Sequence, residues 1–343
     1  MVDDTDDTDG TDDTDDDYSE LVAVLVEKHD SETVQLFLKL QVSVLEAKIA
    51  RLKWATSLDS LSLGLVGLST SPYDWKARRG STAATDVASP PVPIGGRVEP
   101  FADLLRYETA MNMRNAADQM QGLSALLLAQ RSVIGSASLA RGIFEASTWA
   151  AALIDPTVSQ RERLRRLIMR RIARLMASIR EGELLAASNP GGSAHAAATV
   201  EVMEDEHGSH LDPAQEIEDL VELAEGVGWK IQRRKRSIEL DEALSIDWLV
   251  KNLGQRMGVE EYVWGNGSAL THGEHSALTA SLVALVQDTM EMSVPGWITR
   301  FHATGSWAGP RLLLSTFAKY TGRNHLLAEF QEMDRTFSQN DLR

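Results

Sequence analysis

Apolar residues recur at every third or fourth position in each long segment of this chain, which is the spacing that buries one face of an α-helix. The sequence shows no regular alternation of strands with helices and no glycine-rich phosphate loop, so nucleotide-binding α/β folds are disfavoured. We therefore predict an all-α protein, a multi-helix bundle with a disordered acidic N-terminal tail.

Changes in composition divide the 343 residues into four parts. Residues 1–17 hold ten aspartates and no base, cannot bury apolar area, and are predicted to form the disordered acidic tail. Residues 18–70 are predicted to be an N-terminal helical region, and the Pro-, Gly- and Ser-rich segment 71–100 a linker. The main helical domain, 101–343, contains an acidic loop at about 189–212.

Breakers and capping residues set the expected helix bounds in the main domain. Asp155-Pro156 should end one helix, and Ser159 with Glu162 forms a capping box for the next. Residues 229–240 are ambiguous, with a short pair of strands as one possibility. The predicted helices cover approximately residues 100–130, 133–154, 160–188, 213–225, 241–253, 259–264, 269–292 and 311–337.

Composition excludes several classes of protein. The chain has no cysteine, so disulfides, thiolate nucleophiles and cysteine-ligated metal centres are ruled out. Its N-terminus lacks the features of a signal peptide, and no window reaches the roughly 18 uncharged apolar residues that a membrane span needs. We expect a cytoplasmic protein that does not enter membranes and that uses no cofactor.

Two pairs of histidines are candidate metal ligands. His207 and His210 lie in a polar acidic loop, where solvation is the expected state although Zn²⁺ or Ni²⁺ could bind opportunistically. His272 and His275 are three positions apart, whereas the histidines of zinc proteases are four apart. We therefore expect no metal site and interpret His272 as part of a polar cluster with Ser268.

Eight arginines lie between residues 161 and 180, and four of them share the side of the predicted helix opposite its apolar face. We call this set the arginine stripe: Arg163, Arg166, Arg170 and Arg174. Cations four positions apart repel each other unless an anion lies alongside. Three interpretations remain open, namely a surface for nucleic acid or an acidic partner, an internal partner for acidic segments at 201–225 or 1–17, and a solvated face.

A second basic tract follows Trp229 and consists of Arg233, Arg234, Lys235 and Arg236. Basic residues beside an aromatic ring suit single-stranded nucleic acid. Together with the arginine stripe, this tract supplies eight candidate polyanion-binding residues.

The N-terminal helical region carries an apolar seam with spacings of four and three, made of Leu38, Val42, Leu45, Ile49 and Leu52. Two heptads are short for an autonomous coiled coil, so the seam packs either on the body of the protein or on a second copy. We favour the second copy and expect a homo-oligomer.

Arg141 and Glu145 stand four positions apart on an otherwise apolar predicted helix. Charges on so apolar a helix should be paired. They form either an ordinary intrahelical pair or a site in which Glu145 reaches His272 and fixes its tautomer.

Two resemblances involve these residues. A group of uncharacterised bacterial helical proteins resembles this chain over Ala140-Arg141, Glu145, Ala150, Asp155-Pro156, Glu162-Arg163, Arg166, Ser268 and His272-Gly273. The helical hairpins that end in a polar residue and a histidine are also similar to those of HEPN-domain proteins, many of which are ribonucleases of defence and toxin systems. The HEPN signature places an arginine where this chain has Gly265, Asn266 and Gly267.

Two functional hypotheses follow, and the sequence does not decide between them. The first is a non-catalytic binding or interaction protein that uses its arginine-rich helix to hold an acidic partner or nucleic acid. The alternative, implied by the second resemblance, is a HEPN-like enzyme with His272 as acid/base, Glu145 and Ser268 beside it, and Arg163 or Arg166 on a phosphate.

Overall fold

A computed structural model describes residues 31–71, 74–94, 96–129, 133–188, 212–234, 237–240, 245–257 and 296–341. In these residues we find nine helices and two small pairs of antiparallel strands, which confirms the all-α class. The predicted acidic tail, nearly all of the acidic loop, and the predicted helices at 259–264 and 269–292 lie outside the described residues.

The helices are α1 Ser31–Thr70, α2 Thr82–Val87, α3 Phe101–Ala129, α4 Val133–Leu153, α5 Gln160–Ser188, α6 Pro213–Gly226, α7 Ile246–Met257, α8 Gly296–Thr321 and α9 Asn324–Asp341. The strand pairs are β1 Val92–Ile94 with β2 Arg97–Glu99, and β3 Ile231–Arg234 with β4 Ser237–Leu240. The chain divides into two units, Met1–Ala50 and Arg51–Arg343.

The segment predicted as a linker contains both α2 and the β1–β2 hairpin. Ser81 caps α2 by accepting a hydrogen bond from the Ala84 N–H at 3.2 Å. Gly96, with a φ of 74°, lies in the hairpin turn, where a positive φ favours glycine. Gly322, with a φ of 73°, separates α8 from α9, where the sequence pattern predicts a single helix.

The core of the second unit is built around α4, which lies between α3 and α8. Small residues let these helices approach closely. A Cβ atom added at Gly309 of α8 would lie only 2.9 Å from the Cα atom of Phe144 on α4. Ile143 and Phe144 fill the core beside a run of buried alanines, Ala150, Ala151 and Ala152.

Helix α5 buries its predicted apolar face, as shown by Leu167, Ile168, Ile172 and Leu175. Its opposite side also meets other parts of the chain, and the next section describes those contacts.

Helix α1 has two different faces. Beyond Arg51 one face is buried and includes Trp54, Leu58 and Leu65. The described members of the predicted seam, Leu45, Ile49 and Leu52, are exposed. The side chains of Leu38 and Val42 lie outside the described residues. Among the described helices, none combines the length and apolar character that crossing a membrane requires.

Candidate functional site

The first arginine of the stripe, Arg163, is buried against Asp86 of α2. Its Nε and Nη2 atoms donate to the two carboxylate oxygens of Asp86 at 2.9 and 2.7 Å, a bidentate arrangement. Nη1 donates to the backbone oxygen of Val158 at 2.7 Å. The guanidinium is therefore occupied by the protein's own acceptors.

Tyr320 of α8 completes this cluster, since its hydroxyl donates to Oδ2 of Asp86 at 2.9 Å. Burial raises the pKa of the Tyr320 hydroxyl, and the negative charge of Asp86 raises it further. The tyrosine therefore remains a neutral hydrogen-bond donor, and it ties α8 to α2 and α5.

Arg166 is held by acceptors at the α4–α5 corner. Its Nε donates to Glu162 at 2.9 Å, its Nη1 donates to the backbone oxygen of Ala152 at 2.8 Å, and Asp155 lies 3.6 Å from Nη1. Burial alone would raise the pKa of Glu162, but hydrogen bonds from Arg165 and Arg166 outweigh it and hold that pKa below its usual range. The corner is thus an internal ion-pair network.

Glu108 of α3 accepts hydrogen bonds from two arginines of α5, Arg171 and Arg174. It is fully buried, and its Oε1 accepts from Nη2 of Arg174 at 2.7 Å and from Nη1 of Arg171 at 3.1 Å. Arg171 also bridges to Glu216 of α6. The guanidiniums of Arg171 and Arg174 lie 5.7 and 5.6 Å from the ring centre of Tyr107.

Arg170 differs from the other members of the arginine stripe. Its Nη2 donates to the side-chain oxygen of Asn112 at 2.7 Å, and its guanidinium lies 5.1 Å from the ring centre of Trp149. Its Nε is buried and has no acceptor among the described residues. Burial lowers the pKa of Arg170, and although the charge of Glu108 opposes this, the nearby Arg174 adds to it.

The side of α5 predicted to form a cationic surface is largely enclosed. Arg163 and Arg166 are buried, whereas Arg170 and Arg174 are half-buried. Glu216 lies within the acidic segment 201–225, but it pairs with Arg171, which is not a member of the arginine stripe. The other partners, Asp86, Asp155 and Glu108, come from elsewhere in the chain.

The second basic tract lies on the exposed β3–β4 hairpin. Arg233 makes a bidentate pair with Glu218 at 2.7 and 2.6 Å, and Arg234 pairs with Glu239 at 3.1 Å. The hydrogen bond to Glu218 raises the pKa of Arg233. Lys235 and Arg236 lie outside the described residues.

The candidate catalytic residues are not brought together by the described part of the chain. Glu145 accepts a hydrogen bond from Nε of Arg141 at 2.7 Å, which is the intrahelical contact expected for this spacing. Ser268 and His272 lie outside the described residues, and the HEPN-like enzyme stays a prediction. The histidine pairs at 207–210 and 272–275 also lie outside them, and the residues that are described hold no group of three metal-ligating side chains.

Sequence reasoning missed Asp86 and Glu108, two of the four buried acids that pair with arginines of α5. The available signal was the surplus of arginine on α5, since buried cations require buried acids. Asp86 follows three small residues in a segment of linker composition, and Glu108 is the only acid among its neighbours on α3 from Arg106 to Ala110.

No family model, curated protein or solved structure matches this chain. Its function is therefore inferred from the chemistry of the residues themselves.

Proposed function

We propose that the protein is a non-catalytic, cytoplasmic interaction protein that holds an acidic segment of a partner through Arg170, with Arg174 beside it. The observation that carries this proposal is the state of Arg170, a largely enclosed cation with a neutral amide as its hydrogen-bond partner. Within the described residues, no carboxylate lies within ion-pair distance of its guanidinium.

Burying a cation without an anion costs free energy, because the lost hydration is not replaced. The other three arginines of the stripe each have a carboxylate, in Asp86, Glu162 and Glu108. No described carboxylate lies within ion-pair distance of Arg170, although the charges of Glu108 and Glu145 act on it from further away. Its buried Nε has no acceptor among the described residues. A carboxylate of a bound partner would supply the counter-charge at the accessible part of the guanidinium.

The surroundings of Arg170 hold its guanidinium in place before any ligand arrives. Asn112 is itself fixed, because its Nδ2 donates to the backbone oxygen of Glu108 at 2.7 Å, which leaves its Oδ1 for Arg170. The guanidinium of Arg170 lies over the ring of Trp149, at a distance typical of a cation–π contact. A preorganised cation binds an anion with less loss of side-chain entropy.

An acidic protein segment suits this site better than a nucleic-acid backbone. A phosphate chain needs a row of accessible cations. Arg163 and Arg166 are committed to internal acids, so only Arg170 and Arg174 of the stripe remain partly open. A ligand that carries one or two carboxylates matches that number.

We further propose that the protein is a homo-oligomer, as the apolar seam predicts. Leu45, Ile49 and Leu52 are exposed although each is a large apolar side chain, and association of copies would remove them from water.

Binding of a labelled oligo-aspartate peptide tests the acidic-partner proposal. Arg170→Gln should weaken binding by about 10- to 100-fold, which is the effect of one lost charge-assisted hydrogen bond. Arg180→Gln, a matched change at an exposed position of the same helix, should leave binding unchanged. Equal weakening by both variants, or by neither, would contradict the proposal.

A labelled single-stranded oligonucleotide provides the comparison between partner classes. With two accessible cations, log K against log salt should have a slope of about −1.4, whereas four engaged arginines would give about −3. A slope near −3 with affinity above that for the peptide would favour nucleic acid instead.

A further inference from the structure

Three carboxamide side chains form a row along one face of α3. Asn112, Asn115 and Gln119 are spaced three and four positions apart, so their directions fall within about 60° of one another. We call these three residues the amide row. The row begins beside Arg170, because Oδ1 of Asn112 accepts the hydrogen bond from Nη2 of that arginine. From there it extends over seven positions, or about 10.5 Å along the helix axis.

The far end of the amide row is fixed by contacts within α3 and with α4. Nε2 of Gln119 donates to Oδ1 of Asn115 at 2.7 Å. The carboxamide of Gln119 lies against Gly142 of α4, where an added Cβ atom would overlap it. Glycine at this position therefore leaves the space that the carboxamide occupies. Asn115 is exposed and Gln119 is half-buried, so both can reach a ligand.

The amide row offers both kinds of hydrogen-bonding group. Among the described residues, Nδ2 of Asn115 has no acceptor and Oε1 of Gln119 has no donor. One open donor and one open acceptor complement the C=O and N–H groups of a peptide main chain. A phosphate backbone supplies acceptors only, so it would leave Oε1 of Gln119 unpaired.

The charge of α4 limits where a ligand can carry an acid. Along α4, Glu145 lies between Gly142, which contacts Gln119, and Trp149, which contacts Arg170. The three α4 residues fall within about 60° of one another, so Glu145 lies beside the middle of the amide row. A half-buried acid there disfavours a second carboxylate. A ligand that fits both ends therefore carries its acid at Arg170 and neutral residues along the rest of the row.

We infer that the acidic segment binds in an extended conformation along the amide row, with one carboxylate on Arg170 and its main chain hydrogen-bonded to Asn115 and Gln119. An extended chain rises about 3.3 Å per residue, so the 10.5 Å length of the row corresponds to about three residues. The main-chain N–H that donates to Gln119 therefore belongs to a residue about three positions from the acid. This inference rests on the proposed acidic-partner function and adds the conformation and register of the ligand.

Competition against the labelled oligo-aspartate peptide tests the inference. The competitor is a capped nine-residue serine peptide with one central aspartate. Its main-chain N–H groups are replaced one at a time by ester oxygens, which removes a donor and keeps the side chains. Replacement about three positions from the aspartate should weaken binding about 3- to 10-fold, the effect of one neutral hydrogen bond. Replacements at the other positions should have smaller effects.

Protein variants identify the group that accepts this hydrogen bond. Gln119→Ala should weaken binding of the unmodified competitor by the same factor and remove its sensitivity to the ester. Gly142→Ala should do likewise while stabilising its helix, because the new methyl group takes the space of the Gln119 carboxamide. Gln121→Ala, the matched control on α3, should bind as wild type does, since Gln121 is exposed and points at least 120° away from the amide row.

The outcomes separate this inference from the proposed function. If Arg170→Gln does not weaken binding of the single-aspartate peptide, both are overturned. If Arg170→Gln weakens binding but no ester position is sensitive, the acidic partner stands and the extended register is overturned. Ester sensitivity that persists in Gln119→Ala, or equal weakening by Gln119→Ala and Gln121→Ala, also overturns the register. A sensitive position that is lost in both Gln119→Ala and Gly142→Ala supports it.

Discussion

Arg163 and Asp86 are 77 positions apart in sequence and form a bidentate ion pair with both side chains almost completely buried. The pair joins a six-residue helix in a segment of linker composition to the first turn of α5. Its position explains why α2 forms at all, since a helix this short is unstable by itself.

Asp86→Asn should destabilise the protein by about 3–5 kcal/mol, because it leaves the Arg163 cation buried without a counter-charge. Urea denaturation monitored by tryptophan fluorescence measures the change. The control is a triple variant, Asp86→Leu with Arg163→Met and Tyr320→Phe, which removes the three polar side chains of the cluster together. It should be more stable than Asp86→Asn, and a lower stability would contradict the ion-pair account.

Tyr320→Phe should cost about 1.5–3 kcal/mol at neutral pH, because Asp86 loses a hydrogen bond to its charged oxygen. The folded state also raises the pKa of Tyr320, through burial first and the charge of Asp86 second. The resulting stability is present below about pH 10, the usual tyrosine value, and is lost as pH rises further. Wild type should therefore lose stability above pH 10 more steeply than the variant, and parallel curves would contradict this.

Glu162→Gln should flatten the acid limb of the stability curve. Despite burial, the hydrogen bonds from Arg165 and Arg166 lower the pKa of Glu162, so its contribution is present above its usual value of about 4.3 and is lost as pH falls below it. Glu218→Gln is the matched control, since its pKa is lowered by Arg233 but both side chains are exposed and screened. A control effect as large as that of Glu162 would argue against the corner network.

Gly309→Ala should destabilise the protein by about 1–3 kcal/mol, because the new methyl group meets the backbone of Phe144 across the α4–α8 contact. Gly182→Ala on α5 has open space around the new atom and should stabilise the helix by up to about 1 kcal/mol. Thermal unfolding of both variants shows whether each substitution raises or lowers the melting temperature. Equal effects would show that helix propensity, and not close approach, sets the requirement at Gly309.

Deleting residues 1–17 should leave folding unchanged and raise the affinity for acidic ligands. These residues carry ten aspartates on the same chain, so they can compete for Arg170 at high effective concentration. Binding of the oligo-aspartate peptide at low salt is the measurement. Identical affinities of the truncated and full-length proteins would exclude this competition.

The bounds of α5 agree with those predicted from sequence, because Asp155-Pro156, Ser159 and Glu162 act locally. Its apolar face was also predictable from helical spacing. The contacts of the arginines were not predictable. A helical wheel shows in which direction each side chain points, but it does not show which other helices lie in that direction. Because α5 contacts α3, α4 and α6, arginines that the wheel places on the solvent side contact other residues instead. Arg170 contacts Asn112, Arg174 contacts Glu108, and Arg166 contacts the backbone of Ala152.

Two other differences concern α2 and the break at Gly322, and the first has a similarly non-local cause. Helix α2 lies in a segment whose composition is that of a linker, and its stability comes from Asp86 contacting Arg163 and Tyr320. The break at Gly322 interrupts a helical apolar pattern that continues on both sides. Composition and periodicity cannot register contacts between residues that are far apart in sequence.

The acids that pair with the arginines of α5 come from distant parts of the sequence, and this affects the order in which the helices fold. Before Asp86, Glu108 and Glu216 are in place, the arginines of α5 repel one another and an isolated α5 is penalised. The α3–α4 hairpin brings together two helices that are adjacent in sequence and in extensive contact, so it closes only a short loop. We therefore expect α3 and α4 to form the folding nucleus, with φ-values near zero at Arg163 and Arg171, so that loss of these ion pairs accelerates unfolding and leaves the rate of folding almost unchanged.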